Sequence, residues 1–344
     1  MTRWEAGDDC LLDRAVGCLV GSLLGDAMGA RTEGLTYEQI GQHHGWVEEF
    51  DEGASGTDDS FLKDMLSRVL IATRGYARAR DWGREWVSQA DAILSPALRG
   101  KFFISILHTT YKLRLGIDPA VASTGNLPSS TAAMSIAPVG IVNAGNPRAA
   151  AAQAWELASL LHPPELSCCR EGAALIAATI AESVVGSVRA YAAIDASLQS
   201  LWTVGQAADL SAAVGAALQL ARRSSNYTEF RSLYHEAFRR DIQCDSRETV
   251  PAALALVHLA DGHLETAVTY AANFGRDTDT VGAMVGAICG AQEGFACLPG
   301  RWLSRLAQGA VDEQQRLARS LVGVHRSKAK REAEAWRRSR GDSR

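Results

Sequence analysis

The apolar positions recur at helical spacing along most of the chain. The first run, from about residue 13 to 27, is apolar on nearly every face and predicts a central helix opened by Asp13. Gly17, Gly21, Gly25 and Gly29 fall four apart along it, and Gly282, Gly286, Gly290 and Gly294 repeat that spacing near the other end of the chain. A four-residue period places each set on one helix face. Each glycine costs about 1 kcal/mol of helix propensity, so two complete ladders point to close backbone packing. The expectation is that the two helices pack against each other in the centre.

Other stripes predict further helices. Leu62, Met65, Leu66, Val69 and Leu70 mark one that opens at Thr57. More helices are expected at about 81–93, 100–113, 147–161 and 169–185, in two pieces within 188–222, and at 227–239, 250–260, 265–274 and 301–322. Pro251 is expected near a first turn, and residues 34–56 read as irregular. Several alternating runs in succession, the mark of a sheet, do not occur, so the class is all-α. One compact domain is expected over 11–324. The basic residues from His325 onward read as a solvated, disordered tail of 325–344.

Composition sharpens this picture in two respects. The net charge of −4 gives no field that would favour nucleic acid or membrane. The seven cysteines are odd in number and include no Cys-x-x-Cys pair, which argues against a disulfide framework or a zinc site. The opening residues show no secretory leader, and the longest apolar run is too short to span a bilayer. A cytoplasmic monomer is expected.

The candidate chemistry lies in the acids. Thr57-Asp58-Asp59-Ser60 and Asp277-Thr278-Asp279-Thr280 both interleave carboxylates and hydroxyls, and the second cluster leads into a glycine ladder. Either could be a helix cap with acids at the dipole. If the two ladders pack, however, the four aspartates converge and repel, and a cation resolves the conflict. The ligands are all hard oxygens, which selects magnesium, manganese or calcium over zinc. Two ions sharing a bridging group suit paired carboxylates.

The segments Gly21-Ser22-Leu23-Leu24-Gly25-Asp26-Ala27-Met28-Gly29 with Glu33, Gly56-Thr57-Asp58-Asp59-Ser60, Ala132-Ala133-Met134, Ala137-Pro138-Val139-Gly140, Val250-Pro251-Ala252-Ala253 and Gly275-Arg276-Asp277-Thr278-Asp279-Thr280 occur in one order. Together they resemble the ADP-ribosylglycohydrolase family, over about residues 14–298. The resemblance implies a compact orthogonal helical bundle with a central binuclear metal cleft holding two Mg2+ or Mn2+ ions. It implies Thr57, Asp58, Asp59, Asp277, Asp279 and Thr280 as metal ligands, and Glu33 as the glutamate beside them. The proton acceptor is open between Glu33, Asp58 and Asp59. The loop with Gly125, Asn126, Ser129, Ser130 and Thr131 offers backbone N–H groups and hydroxyls to a diphosphate or ribose; its plain alternative is a surface turn. By resemblance His162 lines the cleft.

The chain departs from the family pattern at Ser60, at Ser135, at Arg276 in place of a second glycine, and in the loop around Leu127-Pro128. Arg276 is read as facing the acids or a substrate phosphate. The expected activity is release of ADP-ribose from a modified protein side chain, arginine-linked by default. The alternatives are hydrolysis of a small N-riboside and a silent ADP-ribose binder.

Overall fold

The computed structural model describes residues 9–96, 98–186, 189–201 and 208–340. Among these the chain is all-α, and its only extended pairing is an isolated bridge between Ala54 and Leu306. The second of the helices expected within 188–222 runs over Ala208–Arg223 and the first over Ala190–Leu201; the stretch between them lies outside the described residues. No described helix is long and apolar enough to cross a membrane.

The centre of the bundle is the antiparallel pair Cys10–Gly29 and Thr278–Glu293. Gly17 faces Gly290, Gly21 faces Gly286, Gly25 faces Gly282, and Gly29 lies against Thr278 and Asp279. The two backbones touch along this seam. A Cβ added to Gly290 would sit 2.7 Å from the Gly17 carbonyl carbon, and one on Gly286 would sit 2.7 Å from that of Gly21. Backbone on both sides cannot yield as a flexible side chain would, so only glycine fits. The expected central packing is therefore present. Because the pair is antiparallel, the C-terminal turn of the first helix, with Asp26, meets the N-terminal turn of the second, with Asp277 and Asp279.

The first helix begins earlier than the apolar pattern suggests. Asp9 is its cap, accepting from the Leu12 N–H at 3.1 Å. Asp13 instead lies in the first turn and accepts from the Ala296 N–H at 3.2 Å, across the seam. Within the stretch read as irregular, Tyr37–His43 is helical. Thr36 and Gln39 close a capping box, with the Gln39 N–H on the Thr36 hydroxyl and the Thr36 N–H on the Gln39 amide. Asp245 caps the helix Ser246–Leu259, which places Pro251 inside it and past its first turn.

The C-terminal segment differs most from expectation. One helix runs from Ala310 to Ser339, through the boundary expected at residue 325. Three of its basic residues are held by groups elsewhere in the fold. Lys328 donates to the Asn143 side chain at 2.5 Å, Arg331 to the Arg74 carbonyl at 3.0 Å, and Arg326 pairs with Asp9 at 2.7 Å. Composition predicts solvation there because the partners lie more than 180 residues away in sequence for Lys328 and Asn143.

Gly286→Ala places a methyl group against the Gly21 carbonyl. It is expected to lower stability by about 2 kcal/mol or more by overpacking. Gly323→Ala, in the last helix with open space at its Cβ, is expected to be neutral or slightly stabilising. Thermal unfolding of the two variants checks the contrast, and equal midpoints would contradict the seam.

Candidate metal centre

The site is assembled from four short pieces around the polar end of the glycine seam. Asp26, on the last turn of the first helix, is fully buried. Its two carboxylate oxygens accept from the Thr57 N–H at 3.0 and 2.9 Å, and one of them also accepts from the Ser60 N–H at 3.0 Å and the Ser60 hydroxyl at 2.5 Å. These bonds fix the start of the helix Asp58–Ala72. Thr57 is its cap, accepting from the Asp59 N–H. On the opposite side Thr278 donates to the Gly29 carbonyl at 2.9 Å and accepts from Thr32, which ties the second glycine helix to the end of the first. Thr278 is thus a joint between helices.

Two groups of carboxylates result. Glu33, Asp277 and Asp279 each offer an oxygen within 4.8 Å of the others, and so do Asp58, Asp59 and Asp279. Asp279 belongs to both groups. The hydroxyls of Thr57 and Thr280 reach across to Asp279 and Asp59, each at a long 3.4 Å. One Asp59 oxygen, Oδ2, is buried with no hydrogen-bond partner.

Burial is the largest influence on every one of these acids, and neighbouring carboxylates add to it. Asp58 is pushed up to about 8 and Asp277 to about 7. Asp59 and Asp279 lie well above the usual carboxylate range; after burial, Asp279 and then Asp26 raise Asp59, while Asp277 and then Glu33 raise Asp279. Glu33 is raised by burial and then by Asp26. A buried, partnerless Asp59 oxygen among acids that raise one another is the environment a divalent cation relieves. The donors are carboxylates and hydroxyls throughout, which fits a hard divalent cation rather than zinc.

The acids lie in a cavity of about 510 Å³, walled by Phe102, Phe103, Ser130, Thr131, Gln243 and Arg276 among others. Of the loop residues expected to meet substrate, Ser130 and Thr131 line this cavity. Four other expected contact residues do not reach the cavity. Gly125 is exposed beyond it. Asn126 is buried, with its amide on the Thr109 hydroxyl and the Leu161 carbonyl, and so braces the loop from behind. Ser129 turns to Thr131, and its carbonyl accepts from Ser246. His162 is fully buried with both ring nitrogens unpartnered, and burial pushes it down to about 3, so it stays neutral. Buried polar loop residues and substrate-facing ones have the same composition, and only the fold separates them.

Asp26 and the aromatic wall are what the site reading lacked. An aspartate inside an otherwise apolar helix was a usable signal, since a buried carboxylate needs partners. Phe102 and Phe103 carry no comparable signal, because two adjacent phenylalanines read equally well as core.

The described chain is an all-α bundle with two groups of carboxylates at the end of a glycine seam. The description ADP-ribosylglycohydrolase matches residues 8–331. The chain belongs to the ADP-ribosylglycohydrolase family, and this makes it a hydrolase of that type.

It is 28% identical over 309 residues to YegU of Escherichia coli K12, an uncharacterised protein, covering 82% of this chain and 88% of that one. It is 23% identical over 326 residues to the ADP-ribosyl-[dinitrogen reductase] glycohydrolase of Rhodospirillum rubrum, covering 91% and 96%. A solved chain described as an ADP-ribosylglycohydrolase-related protein complex shares the fold. Its TM-score is 0.67 at 22% identity, over 92% of this chain and 99% of that one.

The raised acids fix the sign of two pH effects. Their folded-state values lie above the unfolded carboxylate values near 4, so the folded protein holds more protons. Metal-free stability is therefore fullest below about pH 4 as far as these groups are concerned. It is lost as pH rises through about 7 to 8. Added manganese must displace those protons, so its stabilising effect is expected to be larger at about pH 8.5 than at about pH 6. Thermal unfolding with and without metal at the two pH values checks this; a larger effect at the lower pH would contradict it.

Proposed function

We propose that the protein is a metal-dependent glycosidase that releases ADP-ribose from a modified protein side chain, with arginine as the default linkage. The observation that carries this reading is the pair of carboxylate groups sharing Asp279 at the base of the cavity. Thr57, Asp58, Asp59, Asp277, Asp279 and Thr280 would hold two magnesium or manganese ions. When bound, the metal supplies a polarised ribose diol and a water of lowered pKa.

The chain's own groups do the rest. Cleaving the C–N bond of a ribosyl arginine passes through an oxocarbenium-like state, adds water oxygen to the anomeric carbon and returns a proton to the leaving nitrogen. A carboxylate held near neutrality can take a proton from water and give one up again. Glu33, which burial and then Asp26 raise, lies at the exposed rim of the acids and is one candidate for this step. Asp58 and Asp59 are the other candidates for this step. Ser130 and Thr131 face the cavity and offer hydroxyls to ribose or phosphate, and Phe102 and Phe103 give a flat apolar wall. All seven cysteines are free, which supports action in a reducing cytoplasm, and the reading is of a monomer.

Purified protein is expected to release free ADP-ribose from arginine-linked ADP-ribosylated protein with added magnesium or manganese. Asp277→Asn is expected to lower the rate by about a hundredfold or more. A serine-linked substrate and a small N-riboside run in parallel rank the linkages. Metal and ADP-ribose binding without release from any of them would overturn the hydrolase reading in favour of a binder.

A further inference from the structure

The Arg276 side chain lies along the cavity wall, between two loops. Its Nε donates to one oxygen of Glu248 at 2.5 Å and its Nη2 to the other at 3.1 Å. Nη2 also donates to the Arg240 carbonyl at 2.6 Å, while the Arg240 N–H returns to Glu248 at 2.7 Å. The ion pair is largely out of solvent, with side chains 13% and 4% exposed. The backbone of the same residue makes a second connection. Its N–H donates to the Leu35 carbonyl at 2.6 Å, and its carbonyl accepts from the Gly34 N–H at 2.7 Å.

Arg276 therefore joins three parts of the cleft. Its backbone holds the turn that carries Glu33. Its guanidinium holds residue 240, where the segment bearing Asp241, Gln243 and Cys244 enters the cavity wall. Its peptide leads directly into Asp277. It does this with φ at +70°, in the left-handed region that favours glycine. A non-glycine residue is held there only when surrounding contacts over-determine it, and such positions concentrate at functional sites. A buried ion pair adds little net stability over an apolar replacement, and fixing one arrangement is its better-attested use.

We propose that Arg276 is a positioning residue for the hydrolysis. Its pair with Glu248 clamps the Glu33 turn and the 240–244 wall at a fixed separation, and so sets Glu33 over the aspartates. The guanidinium Nε and Nη2 are engaged in this clamp. The proposal rests on the hydrolase reading of the cleft, with Glu33 as a proton-carrying group.

Arg276→Gly is the informative variant, because glycine suits the observed φ and keeps the backbone bonds to Gly34 and Leu35 while removing the guanidinium from Glu248 and the Arg240 carbonyl. Three readouts are compared with the wild type: manganese affinity by calorimetry, hydrogen exchange of residues 33–35 and 240–245, and kcat and KM with and without Glu33→Gln. Manganese affinity is expected to stay within about threefold, and exchange in both segments to rise about tenfold. The expected fall in kcat is about tenfold with KM little changed, and adding Arg276→Gly to Glu33→Gln should cost almost nothing further. Glu248→Gln is expected to reproduce the effect, and the double variant to be no worse than either single one.

Unchanged exchange in both segments would overturn the clamp. So would a kcat loss that adds in full to that of Glu33→Gln, or an unchanged kcat in an active enzyme. Should the wild type release no ADP-ribose, the hydrolase reading fails by itself, and the exchange comparison still decides whether the clamp exists.

Discussion

Contact between two helix backbones along one seam determines where everything else in this protein sits. Gly17, Gly21, Gly25 and Gly29 on one helix and Gly282, Gly286 and Gly290 on the other let the main chains touch. The side chains that normally separate helices by 8–10 Å are absent. The cost is helix propensity at every glycine. The return is a rigid, antiparallel register in which a one-residue shift would drive a facing carbonyl into the Cβ of a non-glycine residue. That register fixes which end of the first helix meets which end of the second. Asp26 and the threonine-aspartate cluster are delivered to the same point by it.

At that point the structure holds an electrostatic conflict. Asp58, Asp59, Asp277 and Asp279 are crowded together, and burial first and neighbouring carboxylates second raise all four. Among the groups around them, Asp26 is satisfied by four hydrogen bonds from the 57–60 turn and so acts as a brace. The Thr57 and Thr280 hydroxyls are only loosely engaged at 3.4 Å, and Asp59 Oδ2 has no partner. A site built this way is strained without a cation and is complemented by one, which couples its protonation, stability and metal binding. The seam supplies the rigidity that keeps the acids together while they repel.

Much of this was legible in the sequence, for physical reasons. Glycine at a four-residue period has few explanations besides close helix contact, and threonine-aspartate clusters without histidine or cysteine point to a hard cation. Helix positions followed from apolar spacing. Caps and ends were less legible, because Asp9 and Asp13 are equally good capping residues and only the contact with Ala296 gives Asp13 another task. The basic C-terminal residues read as solvated because a charge run reveals nothing about distant partners such as Asn143 and Arg74. Likewise Asn126 and His162 are polar loop or helix-end residues that the fold turns inward, and no local pattern separates those from residues that face a cavity.

If seam contact holds the two acid clusters in register, manganese affinity must fall in Gly25→Ala. The added methyl group would meet the Gly282 backbone, two residues beyond Thr280, while leaving every acid in the chain. The expected result is a folded helical protein by circular dichroism whose manganese affinity is weakened about tenfold or more relative to the wild type. A folded Gly25→Ala protein that binds manganese as tightly as the wild type would contradict it.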